Sequence, residues 1–225
     1  MNYTISYTKH RLKFKFRAGT SRGVLTERDC FLISISKKNE PNIIGIGEAS
    51  PLRGLSIDYG LGFEQQVDFF CNKLSTELGE LNDIYELIPD HFPSLRFAVE
   101  TALLDLQNGG KRLIFENDFS QNEKGIPING LVWMGDEKFM QKQIRAKLKE
   151  GFTCIKMKIG AIDFETEFKL LTSIRKKYSE EQITLRVDAN GAFSFKEAKE
   201  KLTRLSKLGI HSIEQPIRTK QLKSM

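Results

Sequence analysis

Two lysines and two acids in the C-terminal half of the chain are spaced so that they could share one site. Lys156 and Lys158 flank Met157 in TCIKMKIG, Asp188 stands two residues before Asn190 in ITLRVDANGAF, and Glu214 precedes Gln215-Pro216 in HSIEQPI. Each group lies at the C-terminal end of a short apolar, β-branched run. Asp188 follows Lys158 by 30 residues and Glu214 follows Asp188 by 26, about one strand–helix unit each. Successive parallel strands would carry two lysines, an acid and a second acid to one end of a sheet. In a (β/α) barrel that end builds the active site.

The chemistry open to such a set is proton transfer beside a bound cation. Side chains alternate along a strand, so Ile155, Met157 and Ile159 share one face and Lys156 and Lys158 the other. Both faces of a buried parallel strand are ordinarily apolar, and two ammonium groups there need partners. Crowding them is expected to lower the pKa of at least one, and a lysine so tuned could act as a general base near neutral pH. The plainer reading is an edge strand with solvated lysines. Asp188 and Glu214, read singly, could be a helix cap and a surface charge. Read together, they form half of an oxygen-ligand site for Mg²⁺. Asn190 faces the same side as Asp188 if the strand continues, and could orient a ligand. Pro216 lacks a ladder donor and ends the last strand.

The elements that must hold these residues can be read along the chain. YTISYTKH and LKFKFRA alternate, DCFLISISKK is apolar and β-branched, and NIIGIGEASP is a further strand ending at Pro51. Helices follow over GFEQQVDFFCNKLSTEL, LNDIYELI and FPSLRFAVETALLDLQN, the last with Pro93 near its start and Gly109-Gly110 after its end. Strands followed by helices predict an α+β domain, here residues 1–120. From about residue 126 strands and helices alternate. IPINGLVWMG, FTCIKMKIG, QITLRVDAN and IHSIEQP are strands. Helices lie over DEKFMQKQIRAKLKE, from Phe164 to Tyr178, and within SFKEAKEKLTRLSKL. Alternation predicts a parallel sheet or partial (β/α) barrel over residues 121–225, joined to the first domain through the polar stretch 115–125. Trp133 reads most simply as core.

Composition sets bounds on the functions open to the chain. Hydrophobic residues make up 40% of the 225 and charged residues 28%, enough to fill a core. Net charge is +6, from 35 Lys and Arg against 29 Asp and Glu, with pI about 9.1. The basic residues are scattered among glutamates on helical segments, which reads as a solvated surface. No aromatic–basic motif supports nucleic-acid binding. Gly45-Ile46-Gly47 lacks the third glycine of a dinucleotide loop, and His10, His91 and His211 have no metal-site spacing. Cys30, Cys71 and Cys154 form no disulfide framework and suggest a reducing compartment. The N-terminus lacks the apolar core of a signal peptide, and no apolar run reaches the roughly 20 residues of a membrane span. The expectation is a cytoplasmic protein with neither a membrane nor a nucleic-acid partner, its oligomeric state open.

The set KMK, RVDANGAF and IEQPI resembles the enolase superfamily, in the branch similar to muconate cycloisomerases. FRAGTSRGVLTERD, GEASPLRGLSID, FPSLRFAVETALLDL and PINGLVWMG resemble o-succinylbenzoate synthases, particularly those of Bacteroidetes-type bacteria. The resemblance implies an α+β capping domain before a modified (β/α), or TIM-type, barrel. It also implies a lyase reaction of menaquinone biosynthesis, in which 2-succinyl-6-hydroxy-2,4-cyclohexadiene-1-carboxylate loses water to give 2-succinylbenzoate. The partner would be this small carboxylate substrate and the cofactor Mg²⁺, or Mn²⁺ in its place. By the family pattern Lys158 is the base and Lys156 its charged neighbour. Asp188 and Glu214 are metal ligands, and Asn190 and Gln215 stand behind them. The loops around Thr20, Ser21 and Arg22, and over Pro51, Leu52, Gly54 and Leu55, would close on the succinyl tail. Arg22 would clamp a carboxylate.

The family also places a third acidic ligand on a fifth strand and a lysine on a sixth, and the tail RTKQLKSM carries neither. The expectation is a C-terminally truncated form, a fragment with four barrel strands where closure needs eight, and inactive by itself. Dipeptide epimerases and muconate-type cycloisomerases share the same pattern and remain alternatives, as does a non-catalytic fragment.

Overall fold

The computed structural model describes residues 3–20, 23–60 and 62–225, with residues 16–20 described by backbone alone. Residues up to Gly125, save the tip of the first hairpin, form one compact unit, and residues from Ile126 form another.

The first unit is an antiparallel sheet in the order β1 (Tyr3–Thr20), β2 (Gly23–Lys37), β3 (Glu40–Ala49), followed by α1 (Phe63–Glu77), α2 (Asp83–Leu87) and α3 (Pro93–Gln107). The two alternating stretches at the N-terminus are one continuous strand of 18 residues. Helix α3 has Pro93 in its first turn, and Gly109 and Gly110 follow it at φ 81° and 68°. That is the proline-first, glycine-last pattern the sequence implied. Ile33 and Ile35 are fully buried against Val67, Leu74, Leu95 and Val99.

The glycine pair that failed as a dinucleotide loop has a packing role. A Cβ on Gly45 would lie 2.0 Å from the Ala102 carbonyl, and one on Gly47 would lie 1.8 Å from that of Ala98. Bare strand and alanine-faced helix therefore approach backbone to backbone. Between them, buried Asp105 accepts from the Ile46 N–H at 2.9 Å, from the Arg112 N–H at 2.6 Å and from the Arg112 guanidinium.

The second unit is a four-stranded parallel sheet in the order β4 (Gly130–Val132), β5 (Cys154–Lys158), β6 (Thr184–Asp188), β7 (Ile210–Glu214). Helices α4 (Glu137–Lys149), α5 (Phe164–Arg175) and α6 (Phe195–Ser206) connect them, an arrangement compatible with an arc of a (β/α) barrel. Strand β4 keeps only three residues of its predicted run, and Ile126 and Ile128 are exposed before it. Helix α5 stops at Arg175, short of Tyr178. Trp133 is half-buried and outside the core cluster of Val132, Ile155, Met157, Leu170, Leu171, Leu185 and Val187. Its main chain exchanges hydrogen bonds with the Gln143 amide at 3.0 and 3.1 Å.

At the N-terminal end of the sheet Arg175 gathers carbonyls. It donates to Leu208 at 2.8 Å, Ser179 at 2.8 Å, Ile183 at 2.9 Å and Gly209 at 3.2 Å. Residues 183 and 209 directly precede β6 and β7. Among the described residues no helix is long and apolar enough to cross a membrane.

Ser194 and Glu197 form a reciprocal capping box at the start of α6. The Ser194 hydroxyl and backbone N–H, with Lys201, hold the Glu197 carboxyl at about 2 against its usual 4.5. A folded-state value depressed in this way contributes stability above the ordinary carboxylate range. That contribution fades as pH falls toward about 2. Ser194→Ala should cost about 1 kcal/mol in denaturant unfolding near neutral pH, with the deficit shrinking on acidification through that window. Separately, burial pushes the Cys71 thiol up to about 12. Iodoacetamide peptide mapping should show half-buried Cys154 labelled in the native state and Cys71 labelled only as the first unit unfolds.

Candidate active site

Parallel pairing in register builds the site. Lys158 lies opposite Asp188 on β6, and Asp188 opposite Glu214 on β7. One row below, Lys156 lies opposite Arg186, and Arg186 opposite Ser212. Ile155 and Met157, on the other face of β5, are fully buried against the helices. The period of two thus places Ile155 and Met157 on the helix side and both lysines, with Cys154, on the other, as the sequence required. A register slip sits between Leu185 and Arg186 opposite β7. It re-aligns Ser212 and Glu214 with the polar face.

The rows are coupled by ion pairs. The Lys158 Nζ donates to Asp188 Oδ2 at 2.9 Å and to Asn190 Oδ1 at 2.8 Å. Lys156, set beside the like charge of Arg186, leans up and across. Its Nζ bonds Glu214 Oε2 and stands 3.7 Å from Asp188 Oδ2. Side-chain exposure rises from 2% at Asp188 through 14% at Lys158 and 23% at Lys156 to 58% at Glu214. Asp188 is therefore the buried hub, and its two lysines repay the cost of burying its charge.

The electrostatics correct one expectation. The hydrogen bond to Glu214 raises the Lys156 pKa, assisted by the charges of Glu214 and Asp188, and this outweighs the burial that would lower it. The two carboxylates within reach dominate over the second ammonium group. At Lys156, then, the neighbouring acids outweigh lysine crowding.

The turn after β6 places Asn190 differently from the predicted continuation of the strand. Strand β6 ends at Asp188. Asn190 then takes φ 47° and its N–H returns to Asp188 Oδ1 at 2.9 Å, an Asx-type turn that asparagine tolerates. This turn, rather than alternation, aims its amide oxygen at Lys158. Gln215 also has positive φ, 43°, immediately after Glu214. The two turns are tied by the Gly191 N–H donating to the Gln215 carbonyl at 2.7 Å. Such backbone is costly and collects at functional sites. An open cleft of about 460 Å³ lies beyond these strand ends, lined by Gly160, Asn190, Gly191, Ala192, Gln215 and Arg218.

Tested against a hard divalent cation, the cluster fits in donor type and placement. Asp188 and Glu214 bring carboxylate oxygens from adjacent strand ends, and Asn190 brings an amide oxygen. It is short in number. Among the described residues no group of three or more His, Cys, Asp or Glu side chains could hold a metal ion.

The remaining predicted residues lie at the first hairpin and in the loop after β3. Thr20 is the last residue of β1, and Ser21 and Arg22 lie outside the described residues. Pro51 is buried, while Gly54, at φ 73°, and Leu55 are exposed in a turn where the Leu55 and Ser56 N–H groups donate to the Leu52 carbonyl at 3.1 and 3.0 Å. Buried Asp58 anchors the base of that turn by accepting from the Ser94 N–H at 2.7 Å and its hydroxyl at 3.0 Å. Sequence reasoning missed Arg186 and Glu167. Arg186 was available from alternation, two residues before Asp188. Glu167, in the first turn of α5, has the position of an ordinary acid complementing a helix dipole, yet it is 1% exposed.

Comparison with known proteins agrees with this architecture. Residues 140–225 match the family described as enolase C-terminal domain-like. The chain is 42% identical to the o-succinylbenzoate synthase of Desulfotalea psychrophila over 98% of its own length and 67% of that protein's. The crystal structure of MenC from the same organism superposes with a TM-score of 0.81 at 37% identity, covering all of this chain and 67% of that one. The dipeptide epimerase of Enterococcus faecalis, solved with Mg and L-Leu-L-Tyr, superposes with a TM-score of 0.81 at 20% identity, over 64% of its length, a likeness of fold. The chain spans about two thirds of the length of these proteins. It belongs to the enolase superfamily together with the o-succinylbenzoate synthases, and by family it is an enzyme of the lyase class.

Proposed function

We propose that this chain carries the base lysine and two of the metal-ligating carboxylates of an o-succinylbenzoate synthase, acting on 2-succinyl-6-hydroxy-2,4-cyclohexadiene-1-carboxylate. The observation that carries the reading is the row Lys158–Asp188–Glu214 at adjacent parallel strand ends, with Lys156 leaning into it. The family likeness supplies the substrate class.

In this reading Lys158, in its neutral form, takes the proton from the carbon bearing the ring carboxylate. The ring hydroxyl leaves from the neighbouring carbon with that proton returned to it. One C–H and one C–O bond break, a ring double bond forms, and water departs with no redox change. Asp188 and Asn190 aim the nitrogen, since each accepts one of its hydrogens. Lys156 adds positive charge where the carboxylate gains electron density. Asp188 and Glu214 would hold a Mg²⁺ ion, with Asn190 and Gln215 behind them, and when bound it would supply Lewis-acid stabilisation of that charge. The first unit would act as the capping domain.

Two carboxylates hold such an ion weakly, with an expected dissociation constant of about millimolar. Mn²⁺ titration followed by electron paramagnetic resonance should detect that binding. Asp188→Asn should weaken it about tenfold or more, and Lys158→Met should leave a site. 2-Succinylbenzoate should bind more tightly with metal present than without it, and a dipeptide should not. Equal binding of both compounds, or binding indifferent to metal and to Asp188→Asn, overturns the assignment. The 225 residues alone are expected to dehydrate the cyclohexadiene below detection. Measurable turnover would refute that inactivity while supporting the substrate.

A further inference from the structure

Four charged side chains are buried among the described residues: Asp58, Asp105, Glu167 and Asp188. Asp188 is held by the two lysines, Asp105 by a guanidinium and two main-chain N–H groups, and Asp58 by Ser94. Glu167 is held differently. Its carboxylate accepts from the Gly160 N–H at 2.8 and 2.9 Å, from Ala161 at 3.3 Å and from Ile162 at 3.5 Å. Successive amides converging on an anion form a nest, and here the anion belongs to the chain itself. Helix α5 does not need this group as a cap. Asp163 already accepts from the Thr166 N–H at 3.1 Å. Burying a carboxylate is costly, and the nest answers that cost only in part, since burial still raises the Glu167 pKa above its ordinary value.

What the carboxylate fixes is the turn that begins two residues after Lys158. Gly160 sits at φ 92°, and a Cβ there would lie 2.4 Å from the Ala192 Cβ. The turn after β5 therefore presses on the turn after β6, the one that carries Asn190. The Ile159 N–H donates to the Asp188 carbonyl at 2.9 Å, extending the pairing one residue past Lys158. Movement at Gly160–Ile162 would pass through that single residue to the strand end and turn the lysine away from Asp188 and Asn190.

We infer that Glu167 is a positioning residue: through the Gly160–Ile162 turn it sets the direction in which Lys158 presents its nitrogen between Asp188 and Asn190. Its catalytic meaning rests on the reading of Lys158 as the base. The geometric claim does not need turnover.

The test uses the whole 225-residue chain with Glu167→Gln, Glu167→Asp and a control, Ile174→Val, which trims a buried residue of the same helix. Gln keeps the shape but offers one acceptor oxygen and an NH₂ group facing N–H donors. Asp keeps the charge at shorter reach. Amide exchange is followed at residues 160–162. The acetylation of Lys158 relative to Lys156 is measured at one fixed pH by peptide mass spectrometry. Glu167→Gln should speed exchange about tenfold and change the labelling ratio about threefold or more, Asp should fall between Gln and wild type, and Ile174→Val should change neither. If Glu167→Gln does not fold, the Asp variant against the control decides by the same two readouts. The inference is overturned if the Glu167 variants lower the melting temperature but leave the labelling ratio at its wild-type value, or if Ile174→Val moves the ratio equally. Neither readout requires dehydration, so failure of the substrate assignment leaves this result intact.

Discussion

In-register pairing of β5, β6 and β7 is the constraint on which the site depends. Because side chains alternate strictly, burying Ile155 and Met157 against the helices obliges Lys156 and Lys158 to face the other way. The parallel register then sets Lys158, Asp188 and Glu214 side by side. Core formation and site formation are one event here. A one-residue slip of β5 would drive two ammonium groups into the helix-facing core and expose its two apolar anchors.

The same economy governs the polar contacts. Asp188 can be 2% exposed because the lysines that could act on a substrate also neutralise it. The arrangement brings polar groups together where water is partly excluded. Raising the Lys156 pKa is part of that balance. The stacked cations of the lower row, Lys156 and Arg186, are tolerable because Lys156 bends toward the acids.

Much of this was readable from residues. Lys156, Lys158, Asp188 and Glu214 follow from alternation and unit length, and the parallel order of four strands follows from the β–α rhythm. Proline and glycine marked the ends of α3. What escaped depended on contacts between distant segments. Asn190 reaches Lys158 through a positive-φ turn that no periodicity encodes. Gly45 and Gly47 looked like a failed motif because Ala98 and Ala102, which give them meaning, lie some fifty residues on. Trp133 was assigned to the core on hydrophobicity, yet its strand ends one residue earlier and leaves it half-covered. Glu167 could not be told from a solvated helix acid without seeing which amides converge on it.

The two ends of the parallel sheet are secured by different physics. At the C-terminal ends of the strands, charges of opposite sign hold one another, so salt acts there. At the N-terminal ends, Arg175 spans carbonyls of the segments entering β6 and β7, and these bonds pair one cation with neutral acceptors. Salt should therefore loosen the sheet directionally, fraying from the lysine end while the foot stays stitched. A partly opened state of this unit would be a fan splayed at the ion-paired rim, hinged on one guanidinium.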